Sequence, residues 1–323
     1  MITGRLVRVL LIACVLTVAA CKDEGHRDYR EAMRAFVAAI GSYARSYDAH
    51  FILIPQNGQE LITSRGEAGD TLAANYLQAI DGLGREDLFY GYHRDDERTP
   101  PGEQGYITAF LDRALACGKT ILVTDYCYTP AKIDSSYYYN AARNYISFAA
   151  SRRELDQIPR YPAVPYQSNP DAVTRLPDVK NFLYLINPSG FASKASYLAA
   201  LDSTNYDLLI VDLFFNDSAL TISDVQALKT KPGGASRLVV AYMSIGEAEN
   251  YRYYWKPSWN THPPSWLAAA NPDWPGNYKV RYWDSDWQAI LYGNDASYTK
   301  KILDAGFDGV YLDIIDAFEY FEQ

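Results

Sequence analysis

Apolar positions along the chain switch repeatedly between a helical period and short uninterrupted runs. "YREAMRAFVAAIGSYARSYD" (29–48) carries its apolar residues at helical spacing, and "FILIP" (51–55) behind it reads as a buried strand that ends in the loop "QNGQE". A short helix near 72–80 leads to the strand segment "DGLGREDLFYG" (81–91), and a helix within 103–117 leads to the strand "TILVTDYC" (120–127). Residues 134–148 predict a helix, to which "SRRELDQI" adds a turn. Pro159, Pro162, Pro165, Pro170 and Pro177 then exclude regular structure and mark 159–181 as a linker. Five more strands follow: "FLYLINP" (182–188), "DLLIVDLFF" (207–215), "RLVVAYMSI" (237–245), "YKVRYW" (278–283) and "GVYLDIID" (309–316), with helical stretches between them.

Strands that are apolar throughout and alternate with helices imply a parallel sheet covered by helices. Eight such units predict an α/β fold of the closed (β/α)8 kind, a single TIM barrel over 29–323, with its chemistry at the C-terminal strand ends. An open doubly wound sheet would be expected to carry a Gly-rich phosphate loop after a strand, and none is present. A division at the proline-rich stretch would leave the first part with too few strands for a domain of its own.

The N-terminus changes the picture of where the protein works. Arg5 and Arg8 precede an apolar stretch, Val9 to Ala20, too short to span a bilayer as a mature helix and followed by Cys21. Residues 1–20 are therefore expected to be a bacterial lipoprotein signal, Cys21 the lipid attachment point, and 21–28 a tether to the barrel. The expected location is the cell envelope, with the membrane contacted through the lipid only. The net charge of −9 and pI near 5.0 argue against a nucleic-acid partner. Cys117 and Cys127 stand at opposite ends of a strand, roughly 20 Å apart at the usual rise per residue, so no disulfide is expected. His26, His50, His93 and His262 show no metal-ligand spacing, and neither a CxxC nor a G-x-S-x-G motif occurs, so no metal or cofactor is expected.

"YDLLIVDLFF", "VVAYMSIGEAENYRYYW", "WPGNYKVRYWDSDWQAIL" and "GFDGVYLDIIDAFEYF" together resemble the bacterial and archaeal branch of glycoside hydrolase family 114, whose named activity is endo-α-1,4-polygalactosaminidase. "FILIPQNGQELI", "IDGLGREDLFYGY" and "GKTILVTDYC" resemble the same family, but there they follow the LDIID strand instead of preceding FLYLINP. The resemblance spans 29–158 and 180–323 and implies a circularly permuted barrel that starts with a helix and ends after a strand. The helix expected after the last strand would then be 29–48.

Glycoside hydrolysis needs two carboxyl groups flanking the scissile bond. The resemblance gives Asp313 the role of nucleophile or base and Glu86 that of general acid. Asp316 is ranked behind Asp313, since in a continuous strand it would face the other way. Asp212 and Asp125 end other strands and are expected to bind sugar hydroxyl or amino groups; Gln56 and Asn57 suit hydroxyls. Glu247, with Arg252 close behind, is the rival acid, and Tyr126, Tyr242 and Trp283 are placed for stacking on sugar rings. The chain is thus expected to be a monomeric, lipid-anchored glycosidase acting on an amino-sugar polysaccharide, an α-1,4-galactosamine-rich polymer by resemblance. The alternatives are a different exopolysaccharide as substrate, or a polysaccharide-binding lipoprotein without catalysis.

Overall fold

The computed structural model describes residues 27–323; the signal sequence, Cys21 and most of the expected tether lie outside the described residues. Eight strands run parallel to their neighbours: β1 (Ile52–Pro55), β2 (Gly82–Glu86), β3 (Thr120–Tyr126), β4 (Ile146–Ala150), β5 (Phe182–Leu185), β6 (Leu208–Asp212), β7 (Leu238–Ser244) and β8 (Gly309–Asp313). They form a five-stranded sheet, β1-β8-β7-β6-β5, and a three-stranded sheet, β2-β3-β4. A parallel bridge between Gln56 and Gly84 joins the two sheets at the β1 and β2 edges. On the other flank the rings of Phe148 on β4 and Phe182 on β5 lie 5.7 Å apart.

The strands are buried almost throughout, which is why they read as unbroken apolar runs. Helices cover the outside, and α1 (Tyr29–Arg45) is the best specified. Asp28 caps its first turn by accepting from the Glu31 amide at 2.8 Å, and Met33, Phe36, Val37, Ile40 and Ala44 make one buried stripe. Gly41 lets it lie close on β1, where an added Cβ would meet Leu53 Cδ2 at 3.0 Å. Its N-terminal turn also closes on the segment after β8, through the Arg30–Glu322 ion pair at 3.0 Å and the ring contact of Tyr29 with Phe321 at 5.7 Å.

The count of eight strands agrees with the expectation, but one member is different. "YKVRYW" is not in the parallel sheet: Asn277–Val280 pairs antiparallel with Glu247–Glu249 and Leu267–Ala270 in an excursion between β7 and α7 (Ser285–Leu291). Its place is taken by β4, the end of the stretch expected to be helical, since helix α4 (Pro130–Ala141) stops early and Asn144 turns the chain with a φ of 59°. The proline-rich crossover is largely irregular, as expected, yet it is pinned to the body by buried Val173, Leu176 and Val179.

Candidate active site

The strands place alternate side chains toward the sheet interior, and their C-terminal ends open into one cleft of about 790 Å³. Asp313 ends β8, Glu86 ends β2, Tyr126 ends β3 and Asp212 ends β6, while Gln56 stands one residue past β1. Gln56, Asn57, Glu86, Tyr126, Asp212, Tyr242, Glu247, Arg252, Asp313 and Asp316 all line the cleft, which brings together most of the residues expected from sequence.

Asp313 and Glu86 share a partner. Gln56 Nε2 donates to Glu86 Oε2 at 3.0 Å and to Asp313 Oδ1 at 2.9 Å. Two oxygens so close to one nitrogen cannot be more than about 6 Å apart, near the separation that glycosidases use. Asn57 Nδ2 donates to Glu86 Oε2 at 3.2 Å, and the Tyr126 hydroxyl donates to Glu86 Oε1. Asp313 Oδ2 accepts from the Tyr242 hydroxyl at 2.7 Å. Burial raises the pKa of Asp313 to about 8, with the charge of Glu86 the next cause. Glu86 is raised as well, by burial and then by Asp87, against the hydrogen bonds from Tyr126 and Asn57. Burial leads both shifts, and for Asp313 the nearby charge of Glu86 adds to it. Tyr126 and Tyr242 are pushed far above the usual tyrosine range by burial and by the adjacent carboxylate, so both remain hydroxyl donors.

Local backbone geometry aims these groups. Asn57, Asp87 and Ile314 each follow a cleft residue at a strand end and adopt left-handed conformations, with φ of 63°, 59° and 58°. The turn at Ile314 breaks the strand alternation, so Asp316 swings back into the cleft. Gly246 allows that turn to pack, because a Cβ there would stand 2.1 Å from the Ile314 carbonyl oxygen. Beneath the pair, Gly84 leaves room for Tyr311, whose hydroxyl would lie 2.0 Å from an added Cβ.

Two expected ligands are corrected. Asp125 lies off the cleft, where it accepts from the amides of Phe89 and Tyr90 and from Ser136 and Asn140, so it holds the loop after β2 in place of a sugar. Its neighbour Tyr126 points into the cleft, and adjacent strand residues face opposite ways. Trp283 also lies outside the cleft lining, packed between Tyr29 at 5.1 Å and Phe321 at 4.7 Å. Glu247, the rival acid, is tied to Lys279 at 2.7 Å and Asn271 at 2.8 Å and has no hydrogen bond to either member of the pair.

Arg153 escaped the sequence reading. It grips Asp87 through two nitrogens at 2.8 and 3.1 Å and lies over the Tyr126 ring at 3.9 Å, steadying the tyrosine that meets Glu86. The only sequence signal for it is its position just past the end of β4, where the apolar pattern predicts helix. Tyr184, a mid-strand residue of β5, and Glu249, paired with Arg252, also line the cleft. Eight carboxyl side chains line it (Glu86, Glu154, Asp212, Asp217, Glu247, Glu249, Asp313 and Asp316) against two arginines, Arg153 and Arg252. Cys117 and Cys127 are both free thiols.

Comparison with known proteins bears on the same region. Residues 166–323 match the model of glycoside hydrolase family GH114, which supports a glycoside hydrolase. That match contains Asp313 and does not reach Glu86. The chain is similar to an uncharacterized protein of Thermotoga maritima, 40% identical over 123 residues that make up 38% of this chain and 36% of the relative. An uncharacterized protein of Methanocaldococcus jannaschii is 41% identical over 123 residues, 38% of this chain and 34% of the relative. One of Deinococcus radiodurans is 38% identical over 122 residues, 38% and 37% of the two chains. The chain thus spans little more than a third of the length of these relatives.

Proposed function

We propose that the protein is a glycoside hydrolase that cleaves a polysaccharide in this cleft, with Asp313 and Glu86 as its carboxyl pair. The observation that carries the reading is the Gln56 amide nitrogen held between both carboxyl groups, which sets them facing one another at a distance suited to a sugar ring. The family resemblance gives Glu86 the acid's role and Asp313 that of nucleophile or base. The donors are distributed the other way, three side-chain donors on Glu86 against two on Asp313, so substrate must draw the proton toward Glu86 as it binds.

The substrate we favour is an amino-sugar polymer, an α-1,4-linked galactosamine-rich chain cut as by an endo-α-1,4-polygalactosaminidase. The excess of carboxyl groups over arginines in the cleft supports a cationic sugar. The test is incubation of the purified protein with a panel of exopolysaccharides, partly deacetylated galactosamine polymers among them, following reducing ends across pH. Hydrolysis of the cationic polymer is expected to fall as pH rises through about 8, where the proton held by Asp313 is lost and the pair carries two charges. It is expected to fall again in acid as the second carboxyl is protonated. Release from neutral or anionic polymers alone would overturn the substrate, and no release from any would overturn the hydrolase.

The fold that accompanies this reading is a closed (β/α)8 barrel with a permuted chain, supported by the Gln56–Gly84 bridge on one flank and the Phe148–Phe182 contact on the other. A rearranged chain with 159–323 ahead of 29–158, which keeps the proline-rich crossover, should fold to the same spectrum and nearly the same stability. We further propose a lipid anchor at Cys21, which predicts that Cys21→Ser moves the protein from the membrane to the soluble fraction; unchanged partition would remove the anchor.

A further inference from the structure

Gln56 holds a position that a sugar ligand would not need. An amide nitrogen carries two hydrogens, and both are committed here, one to Glu86 Oε2 and one to Asp313 Oδ1. The other end of the amide, Oε1, is buried and meets no donor among the described residues. Turned over, the amide would press that oxygen against two carboxyl groups and lose both hydrogen bonds. The side chain is 1% exposed and fixed at the edge where β1 meets β2, so it has little room to move aside. A glutamine kept for its oxygen would have that oxygen paired; this one is kept for its nitrogen.

Two buried carboxyls in direct contact share one proton and titrate as a unit. A glycosidase needs the opposite: one protonated group and one ionised group acting at different points of the sugar. We propose that Gln56 is the positioning residue of the pair, a spacer whose amide bars a direct proton bridge between Glu86 and Asp313. It thereby confines each carboxyl's proton to the oxygen away from the amide, Glu86 Oε1 beside Tyr126 or Asp313 Oδ2 beside Tyr242. A hydroxyl on either inner oxygen would oppose an N–H hydrogen of the amide, whereas each tyrosine hydroxyl can turn from donor to acceptor as its carboxyl gains a proton. The proton's place is then decided by two separate tyrosines, so a substrate can shift it from one carboxyl to the other by engaging one side.

The purpose given to the spacer rests on the hydrolase reading, but its test does not. Carboxyl carbons of Asp and Glu are labelled with 13C and titrated by NMR in the full chain, as wild type, Gln56→Met and Gln56→Glu. The groups facing the pair are retained in each variant: Tyr126 from β3, Tyr184 from β5, Tyr242 from β7 and Tyr311 from β8. Asp87, Arg153 and Asp316, next outward, are retained as well. In the wild type Glu86 and Asp313 are expected to titrate in distinct single steps. In Gln56→Met both carbons should respond in both steps, and the two apparent pKa values should draw apart by at least about one unit, tenfold in proton affinity. Gln56→Glu keeps the shape and replaces two N–H donors by at most one O–H, so the cluster should bind one more proton between about pH 4 and about pH 9. On any polymer that is cleaved, Gln56→Met should lower kcat and narrow the pH profile with KM little changed, which a loss of sugar contacts would not do. A folded Gln56→Met chain with the wild-type titration overturns the spacer. Should that variant not fold, a Gln56→Glu chain with Glu86 and Asp313 titrating as in the wild type overturns it equally. A wild type that cleaves no polymer defeats the hydrolase reading, while the titrations still decide the role of Gln56.

Discussion

Asp313→Asn and Glu86→Gln are each expected to lower hydrolysis by about 10²- to 10⁴-fold while leaving the thermal midpoint nearly unchanged, the usual loss when a positioned proton donor or acceptor is removed. Both substitutions preserve shape, and each relieves a pair whose two members resist ionising together. Their roles separate on oligosaccharides with an activated aryl leaving group. Such a group departs without protonation, so Glu86→Gln should recover most of its activity on it and Asp313→Asn should not. Added azide should restore turnover to a variant that has lost its nucleophile or base, because a small anion can occupy the vacated carboxylate's place. Recovery by Asp313→Asn on the activated substrate would give the acid's role to Asp313, in line with the donors around the pair. Full activity in both variants on the natural polymer would remove the pair altogether.

Most of the cleft was legible because a parallel sheet sends its strand ends to one side, and acids at strand ends stand out in sequence. Asp313, Glu86 and Asp212 were found in this way. Asp125 shows the limit of the rule. "VTDYC" offers two candidates in a row, but alternation admits only one to the cleft, and the interior register shared by Glu86 and Thr124 selects Tyr126. The relation of Gln56 to the pair depends on three strands meeting, β1, β2 and β8, the last of which is far from the other two in sequence. No local pattern could disclose that one amide would touch both carboxyls. Arg153 was hidden by an error in the element before it.

That error has a physical basis. "SSYYYNAARNYISFAA" has apolar residues dense enough to satisfy a helical period throughout, and only Asn144, which tolerates the left-handed turn, marks where helix gives way to β4. "YKVRYW" erred in the opposite sense. Tyr278, Val280 and Tyr282 alternate with Lys279 and Arg281, the pattern of a strand with one wet face, whereas the strands of the main sheets are apolar on consecutive positions. Read with that distinction, the segment belongs in an antiparallel excursion, and the eighth parallel strand must be sought elsewhere.

Lys231→Met is expected to cost about 3–5 kcal/mol of stability, because it strands a buried carboxylate. Lys231 and Asp207 are 1% and 0% exposed and meet at 2.5 Å. The ammonium also donates to the Asp171 carbonyl at 2.8 Å, and Asp207 accepts from the Lys180 amide at 2.8 Å and from Asn169 Nδ2 at 3.0 Å. Asn169, Asp171 and Lys180 all belong to the proline-rich crossover, while Asp207 directly precedes β6, so one ion pair fastens a segment with little regular structure to the five-stranded sheet. Without the lysine, Asp207 keeps its neutral donors but loses its counter-charge, and the crossover loses its anchor. Denaturant unfolding should show the midpoint falling with the slope almost unchanged. The double variant Lys231→Met with Asp207→Asn should recover part of the loss, since no unpaired charge then remains, and the recovered part measures the cost of the stranded carboxylate apart from the lost crossover contacts. A Lys231→Met chain as stable as the wild type would mean that the crossover is held by its apolar contacts, Val173, Leu176 and Val179, and that the pair adds nothing to them.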